Sequence, residues 1–325
     1  MDALSDVLRA VRLTGAIFFD VEASAPWVAE TPSGVSIVGA MFPGSEHLIS
    51  YHVITAGTCW ASVPGEPPMR LSQGDIILLP HGDTHVLSST PGLRRTPDMS
   101  IYRFPADGQL PVKISMGEAR GESTQFVCGF LGCDARPYNP LLAARPRVIR
   151  VNDSAGGAIG TFVQFALTES KAPRIGGQCV LSRLSELMFV DVVRRYLETM
   201  PVDRMDWLAG LRDPFVGRAL TALHRNPARA WTIESLARDA GLSRSALAER
   251  FTQFVGRPPM LYLTNWRMQI AASHLLSGME SVAKVGSRVG YESEAAFSRA
   301  FKKIVGTPPS AWRKQRVGSA DLALT

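Results

Sequence analysis

The rhythm of apolar and polar positions changes near Asn139. Before it, short apolar runs are broken by Gly, Pro, Ser and Asp: VSIVGAMF (35–42), HLISYHVI (47–54), CWASV (59–63), MRLSQGDIILLP (69–80), THVLSS (84–89) and TQFVCGFL (124–131). Runs of this length between turn residues predict the strands of a sandwich or barrel. STPGLRRTPD (89–98) predicts a loop. After Asn139 the spacing lengthens. NPLLAARP (139–146) predicts a brief helix ended by Pro146, and AGGAIGTFVQFALTES (155–170) a helix with Ile159, Phe162 and Val163 on one side. CVLSRLSELMFVDVVRRYLETM (179–200) predicts a long helix, its apolar residues mostly three or four apart. Phe189, Val190 and Val193 widen its apolar surface, which suits a dimer contact as well as burial in its own domain. From Asp213 onward the pattern is all helical: Phe215–Asn226, Ile233–Gly241, Ser243–Val255, Pro259–Leu276, Val282–Val289, Ser293–Val305 and Pro308–Lys314. The tail after Val317 is expected to be disordered.

Two stretches of the helical part repeat one another. IESLARDAGLSRSALAERFTQFVGRPPMLYL (233–263) and SVAKVGSRVGYESEAAFSRAFKKIVGTPPSAWR (281–313) each hold a small-residue helix, a Gly, a polar turn and an amphipathic helix that ends in Val-Gly-x-Pro-Pro. The Gly suits a left-handed C-cap, and Ser243 and Ser293 suit N-caps of the next helix. Leu236, Leu242, Leu247 and Phe251 correspond to Val285, Tyr291, Phe297 and Phe301, so the buried face is repeated. At Thr232 a capping box is not expected, because Ser235 stands where Glu or Gln would close it. Each copy has the pattern of a helix-turn-helix, whose second helix enters the DNA major groove.

Charge supports that reading. The chain has 325 residues and a net charge of +6, but residues 1–200 carry −2 and residues 201–325 carry +8. A basic region attached to a neutral one fits a nucleic-acid-binding module joined to something else. No apolar run approaches the length of a membrane span, and no signal sequence is apparent, so the expected compartment is the cytoplasm. Four cysteines, Cys59, Cys128, Cys133 and Cys179, then read as thiols, ligands or sensors.

Over roughly Pro214 to Arg313 the paired repeat resembles the DNA-binding domain of the AraC/XylS family of bacterial transcription regulators. GYESEAAFSRAFKKIVGTPPSAWR is close to that family's signature. The resemblance implies two readers on one rigid helix, here Pro259–Leu276, facing successive major grooves of double-stranded promoter DNA, with RNA polymerase as a further partner. By helical position the base-contact candidates are Arg244, Ser245, Ala248 and Glu249 in the first copy, and Glu294, Ala295 and Arg299 in the second. Arg299 is the best single choice, since Arg bonds a guanine edge bidentately. Arg250, Lys302, Lys303 and Arg313 are candidates for phosphate contact or solvated surface. The first reading helix is poor in long donors and is expected to discriminate less.

GDIILLPHGDTHVL (74–87) fits Gly-x5-Pro-x-Gly-x2-His, the second motif of the cupin barrel. YHVITAGTCW and GEPPMRL resemble its first motif. The span of about 10–200 is similar to the cupin sensor domain that precedes the DNA-binding domain in one AraC-type subgroup. The chain departs from metal-dependent cupins, because only His52, with His47 nearby, stands where a His-x-His pair and a Glu would be. His52, His85, Cys128 and Cys133 remain metal candidates, for zinc by their softness, and effector or redox candidates together with Trp60. Strand alternation sets Cys128 and Cys133 on opposite faces unless Gly129 or Gly132 makes a bulge. An aromatic-lined pocket for a small-molecule effector, using Trp27, Tyr51, Trp60 and Phe130, is the plainer expectation.

The expected architecture is therefore α+β: a cupin-like barrel (1–150), linker helices that would join a homodimer (151–205), a tandem helix-turn-helix domain (206–316) and a tail (317–325). The expected function is a sequence-specific DNA-binding regulator, not an enzyme. The alternative is a cupin metalloenzyme with a helical targeting module.

Overall fold

The computed structural model describes residues 2–103, 110–118, 121–143, 146–152, 157–171, 174–201, 203–278 and 280–321. In chain order its elements are α1 (Ala3–Ala10), β1 (Thr14–Ser24), β2 (Val28–Thr31), α2 (Gly34–Met41), β3 (His47–Ala56), β4 (Thr58–Ser62), β5 (Met69–Ser72), β6 (Asp75–Leu79), β7 (His85–Ser88), β8 (Val112–Gly117), β9 (Ser123–Cys133) and β10 (Ile149–Asn152). The helices α3 (Ala158–Lys171), α4 (Gly177–Thr199), α5 (Trp207–Arg212), α6 (Val216–Arg225), α7 (Ile233–Ala240), α8 (Arg244–Val255), α9 (Pro259–Leu276), α10 (Val282–Arg288), α11 (Glu294–Val305) and α12 (Pro309–Asp321) follow. By packing, the chain divides into two compact units, each discontinuous in sequence. One gathers 13–133 and 146–199; the other gathers 1–12, 134–145 and 200–325.

The first unit is built on two sheets, β10-β6-β3-β9-β1-β8 and β2-β7-β4-β5. β1 pairs with β8 in parallel, and all other pairings are antiparallel. The apolar faces of both sheets close on one core that includes Phe18, Phe126, Ile77, Leu71 and Leu87. Phe18 meets Phe42 and Phe130 edge-on at 5.8 and 5.6 Å. Helix α4 lies close against β1: a Cβ at Gly15 would fall 2.5 Å from that of Ser185. The Ser185 hydroxyl lies 3.1 Å from Leu181 O and 2.9 Å from the Tyr51 hydroxyl, which also reaches Ala16 O at 3.4 Å. The Tyr51 ring in turn lies over Gly129, where a Cβ would sit 2.0 Å from the ring.

The second unit is helical. The burial repeated in the sequence is repeated in space, with Leu236, Leu247 and Phe251 in one copy and Val285, Phe297 and Phe301 in the other all fully buried. The second copy closes on α9 and α12 through Met268, Leu275 and Trp312. Two distant segments complete this unit. Gln269, on α9 and 1% exposed, donates its Nε2 to Ala10 O at 2.9 Å and accepts the Tyr138 N–H at Oε1, 3.0 Å. Arg12 forms a two-pronged pair with Asp134, both contacts 2.7 Å, and the Asp134 N–H donates to Val11 O at 2.9 Å.

Several expectations change. Residues 34–41 form a helix, not a strand; Gly34, Ile37 and Met41 are buried at spacings of three and four, while Val35 is 82% exposed. A short apolar run does not distinguish the two periods by itself. Residues 139–143 make two overlapping turns, Leu142 N to Asn139 O and Ala143 N to Pro140 O, rather than a helix. Helix α12 runs to Asp321, beyond the expected start of the tail, while 322–325 lie outside the described residues. Thr232 does close a capping box: Ser235 N donates to Thr232 Oγ1 at 3.1 Å and Thr232 N to Ser235 Oγ at 3.0 Å. A serine hydroxyl reaches as far as this return contact needs.

Replacing Gln269 with Ala leaves a buried N–H and a buried C=O without partners. That should cost about 1–3 kcal/mol of stability per orphaned group, read as a lower denaturant midpoint. A midpoint equal to that of the parent protein would mean the amide is not what ties these segments to α9.

Candidate functional site

Each copy of the helical repeat presents a reading helix by the same local means. The first copy turns at Gly241 (φ +79°) and the second at Gly290 (φ +87°), both left-handed, the region that glycine enters without a Cβ penalty. Ser243 and Ser293 then cap α8 and α11 by accepting from Ala246 N at 3.3 Å and Ala296 N at 3.2 Å. Phe251 and Leu247 on α8, and Phe297 and Phe301 on α11, point into the cores, so the opposite faces are free to meet a ligand. The connecting helix α9 has 18 residues, a length of roughly 27 Å.

The two faces differ in what they leave available. On α11, Glu294, Ala295, Arg299, Lys302 and Lys303 are exposed, and no hydrogen bond or ion pair engages the Arg299, Lys302 or Lys303 side chains among the described residues. On α8, Ser245 and Glu249 are exposed and Ala248 is half-buried, but both arginines are engaged. Arg244 pairs with Glu234 at 3.2 Å. Arg250 bonds Asp213 through Nε at 3.1 and 3.0 Å and through Nη2 at 2.5 Å, and lies near the rings of Phe215 and Phe254. Burial raises the Asp213 pKa, but bonds from Arg250 and from the N–H groups of Val216 and Phe215 outweigh it, and the net direction is down. Arg250 thus braces α8 against the start of α6 rather than standing free for phosphate. Arg313 is likewise engaged, donating to Glu280 O at 2.6 Å.

The sheet unit holds a different constellation. β3 and β9 set His52 and Cys128 directly opposite one another, and β7 of the facing sheet supplies His85. All three are buried, at 2%, 7% and 1% exposure. His85 Nδ1 lies 2.8 Å from Asp83 O, His52 Nε2 lies 2.6 Å from His85 Nε2, and Cys128 Sγ lies 2.8 Å from His52 Nδ1. A carbonyl can only accept, so the network assigns every proton. His85 donates from Nδ1, His52 donates from Nε2 to His85, and the Cys128 thiol donates to His52. Burial enforces the neutral state: it pushes the Cys128 thiol well above its ordinary pKa, His52 well below, and His85 down to about 4. Cys59 nearby raises the Cys128 thiol further, and His85 lowers His52 further.

His52 and Cys128 of this network border a cavity of about 250 Å³. Its apolar wall includes Phe19, Ile114, Phe126 and Phe130, and its polar lining includes Thr31, Arg95 and Ser115. Of the expected aromatics, only Phe130 lines it. Trp27 stacks on Phe126 at 5.3 Å, Tyr51 points to α4, and Trp60 is half-buried on β4 opposite Arg70 and Ser88.

The expected four-ligand zinc set is not assembled. Cys133 lies at the far end of β9 opposite His47, and β9 runs without a bulge between it and Cys128. Within the remaining three, His52 turns one nitrogen to Cys128 and the other to His85, so their donor atoms do not converge on a point as tetrahedral ligation requires. Among the described residues no group of three His, Cys, Asp or Glu is placed to hold a metal ion. The part that residue types could not reveal is the Asp83 carbonyl, a backbone group with no sequence signal.

Comparisons with known proteins agree with this architecture. A family model described as a cupin matches residues 2–198, and one described as a helix-turn-helix domain matches 236–315. The chain is 32% identical to a putative AraC-like transcription regulator of Streptomyces lividans, over 97% of this chain and 98% of that protein. It is 25% identical to the HTH-type transcriptional regulator AlkR of Acinetobacter baylyi, over 97% of this chain and the full length of the relative. Among solved structures, the C-terminal domain of the response regulator AraT from Geobacillus stearothermophilus is 33% identical, covering 32% of this chain and 86% of that one, with a TM-score of 0.31.

The buried histidines set an acid limit on stability. His85 is held down to about 4 and His224, buried beside Trp266, to about 3, both chiefly by burial, while their ordinary value is 6.5. The unfolded chain takes up protons at these sites below about pH 6.5 and the native chain does not. Their contribution is therefore complete above that pH and is lost as pH falls towards the folded values. His85 alone accounts for on the order of 3 kcal/mol at the limit. Denaturant midpoints should drop steadily from about pH 6.5 to about pH 4; a flat profile over that window contradicts the neutral assignment.

Proposed function

The chain belongs to the AraC-like transcription regulators, and from that premise we propose how its parts divide the work. It binds double-stranded DNA through the helix-turn-helix repeat. Helix α11 makes the discriminating contacts: Arg299 reads a guanine edge, Glu294 and Ala295 face neighbouring bases, and Lys302 and Lys303 meet phosphate. Helix α8 contributes Ser245, Ala248 and Glu249, with Arg244 shared between Glu234 and DNA. The observation that carries this asymmetry is the pairing of both α8 arginines against the unpaired Arg299, Lys302 and Lys303.

The cavity between the two sheets receives a small apolar effector. Its occupancy biases which arrangements of the chain are populated, and so the affinity for promoter DNA. A homodimer formed through the exposed apolar positions of α3 and α4, such as Phe165 and Leu187, 48% and 51% exposed, would place two readers on one promoter and act with RNA polymerase. The reading is of a cytoplasmic regulator and not of an enzyme. It is supported by the relatives' being regulators.

Arg299→Ala should lose about 1–3 kcal/mol of specific binding at fixed salt, with relaxed preference at one base position. Arg250→Ala should instead lower thermal stability, because the buried Asp213 carboxylate loses the cation paired with it and keeps just the two backbone N–H bonds, and should leave the salt dependence of binding unchanged. Equal affinity of the parent and the Arg299 variant for a DNA selected from a random-sequence pool would overturn the α11 assignment.

A further inference from the structure

Cys128 combines three properties that meet nowhere else among the described residues. It borders the cavity, its thiol proton is hydrogen-bonded to a neutral imidazole, and that imidazole is backed by a second one fixed on a backbone carbonyl. A thiol needed only for packing would require none of this. A buried thiol held as a donor is quiet towards reagents in bulk water, since the nucleophile is the thiolate. It can react with a guest that enters the cavity, where His52 takes the proton as the new bond forms. The wall around it combines Phe19, Ile114, Met116, Phe126 and Phe130 with the polar Thr31, Glu30, Arg95 and Asp98, which suits a largely apolar guest that carries a polar group such as a carbonyl.

We infer that the cavity captures a small apolar α,β-unsaturated ketone or aldehyde, and that Cys128 adds to it covalently with His52 as the base. The inference rests on the reading of the cavity as the effector site and names the chemical class of that effector. The Cys128 sulfur bonds to the β-carbon while the π pair of the C=C bond shifts towards the α-carbon and carbonyl. The thiol proton passes to His52 Nδ1, and the Nε2 proton of His52 moves to His85 Nε2. The α-carbon then recovers a proton from His52 Nδ1 as His85 returns its own to His52 Nε2. In total, S–H adds across C=C; nothing is oxidised or reduced and nothing leaves.

Cys179 is exposed on α4 and supplies an internal reference in the same chain. Full-length protein is treated with 2-cyclohexen-1-one or with acrylamide, and adducts at both cysteines are quantified by peptide mass mapping. Acrylamide should label Cys179 first, and the cyclic enone should reverse that order. In His52→Asn, whose amide oxygen still accepts from the thiol but is no base, Cys128 labelling by the enone should slow by about tenfold or more, with Cys179 unaffected. An unfolded variant would betray itself by rapid labelling of Cys128 with both reagents, and His85→Gln then serves in its place.

Labelling of Cys179 alone by both reagents overturns the proposal, as does undiminished Cys128 labelling in a folded His52 variant. Gain of oxygen at Cys128 under mild peroxide, faster than enone addition, also overturns it in favour of an oxidant sensor. Affinity for the selected DNA is measured on the same samples. A Cys128 adduct that leaves DNA affinity unchanged removes the effector reading while the addition chemistry stands. A response to saturated cyclohexanone without any adduct keeps the effector cavity and removes covalent capture.

Discussion

The side-chain amide of Gln269 does for the helical unit what no apolar contact does there. It lies on the helix that joins the two readers, away from water, and satisfies one backbone N–H and one backbone C=O from segments more than a hundred residues apart. Apolar packing is tolerant of small slides, whereas a buried hydrogen bond is directional and costly to leave unmade. The amide therefore fixes the position of α1 and of the 134–143 segment on α9. The Arg12–Asp134 pair a few residues away holds the same two segments to each other.

The tandem readers were legible because their rule is local. Gly at the turn, Ser at the cap and apolar residues three and four apart are all readable within a dozen positions, and the predicted bounds of α9 match the observed helix. The sheet unit was less legible. Strand β1, TGAIFFDVEAS, pairs with both β8 and β9 and carries no two-residue alternation, because both of its faces are largely buried. Helix α5, six residues long, offers too few turns to show a period.

The site divides in the same way. Residue type alone marked His52, His85 and Cys128. Their meeting depends on the register of β3 against β9, which shifts at Ile54/Ala56, and on a neighbour from the other sheet. Neither is encoded in any short stretch. Arg250 shows the converse, since a basic residue on a reading helix looks available until its partner Asp213, 37 positions away, is located.

The interleaving of the two units bears on how such a protein can be recombined. The chain passes between them at 12–13, 133–134, 145–146 and 199–200. No single cut at these points separates one unit from the other, because a piece of the helical unit stays with the sheet unit each time. A chimaera that borrows only the stretch after Met200 would inherit α9 without the segments that Gln269 was made to hold. A chimaera that keeps this chain's helical unit intact therefore has to carry α1 and the 134–143 segment along with the stretch after Met200, three pieces rather than one.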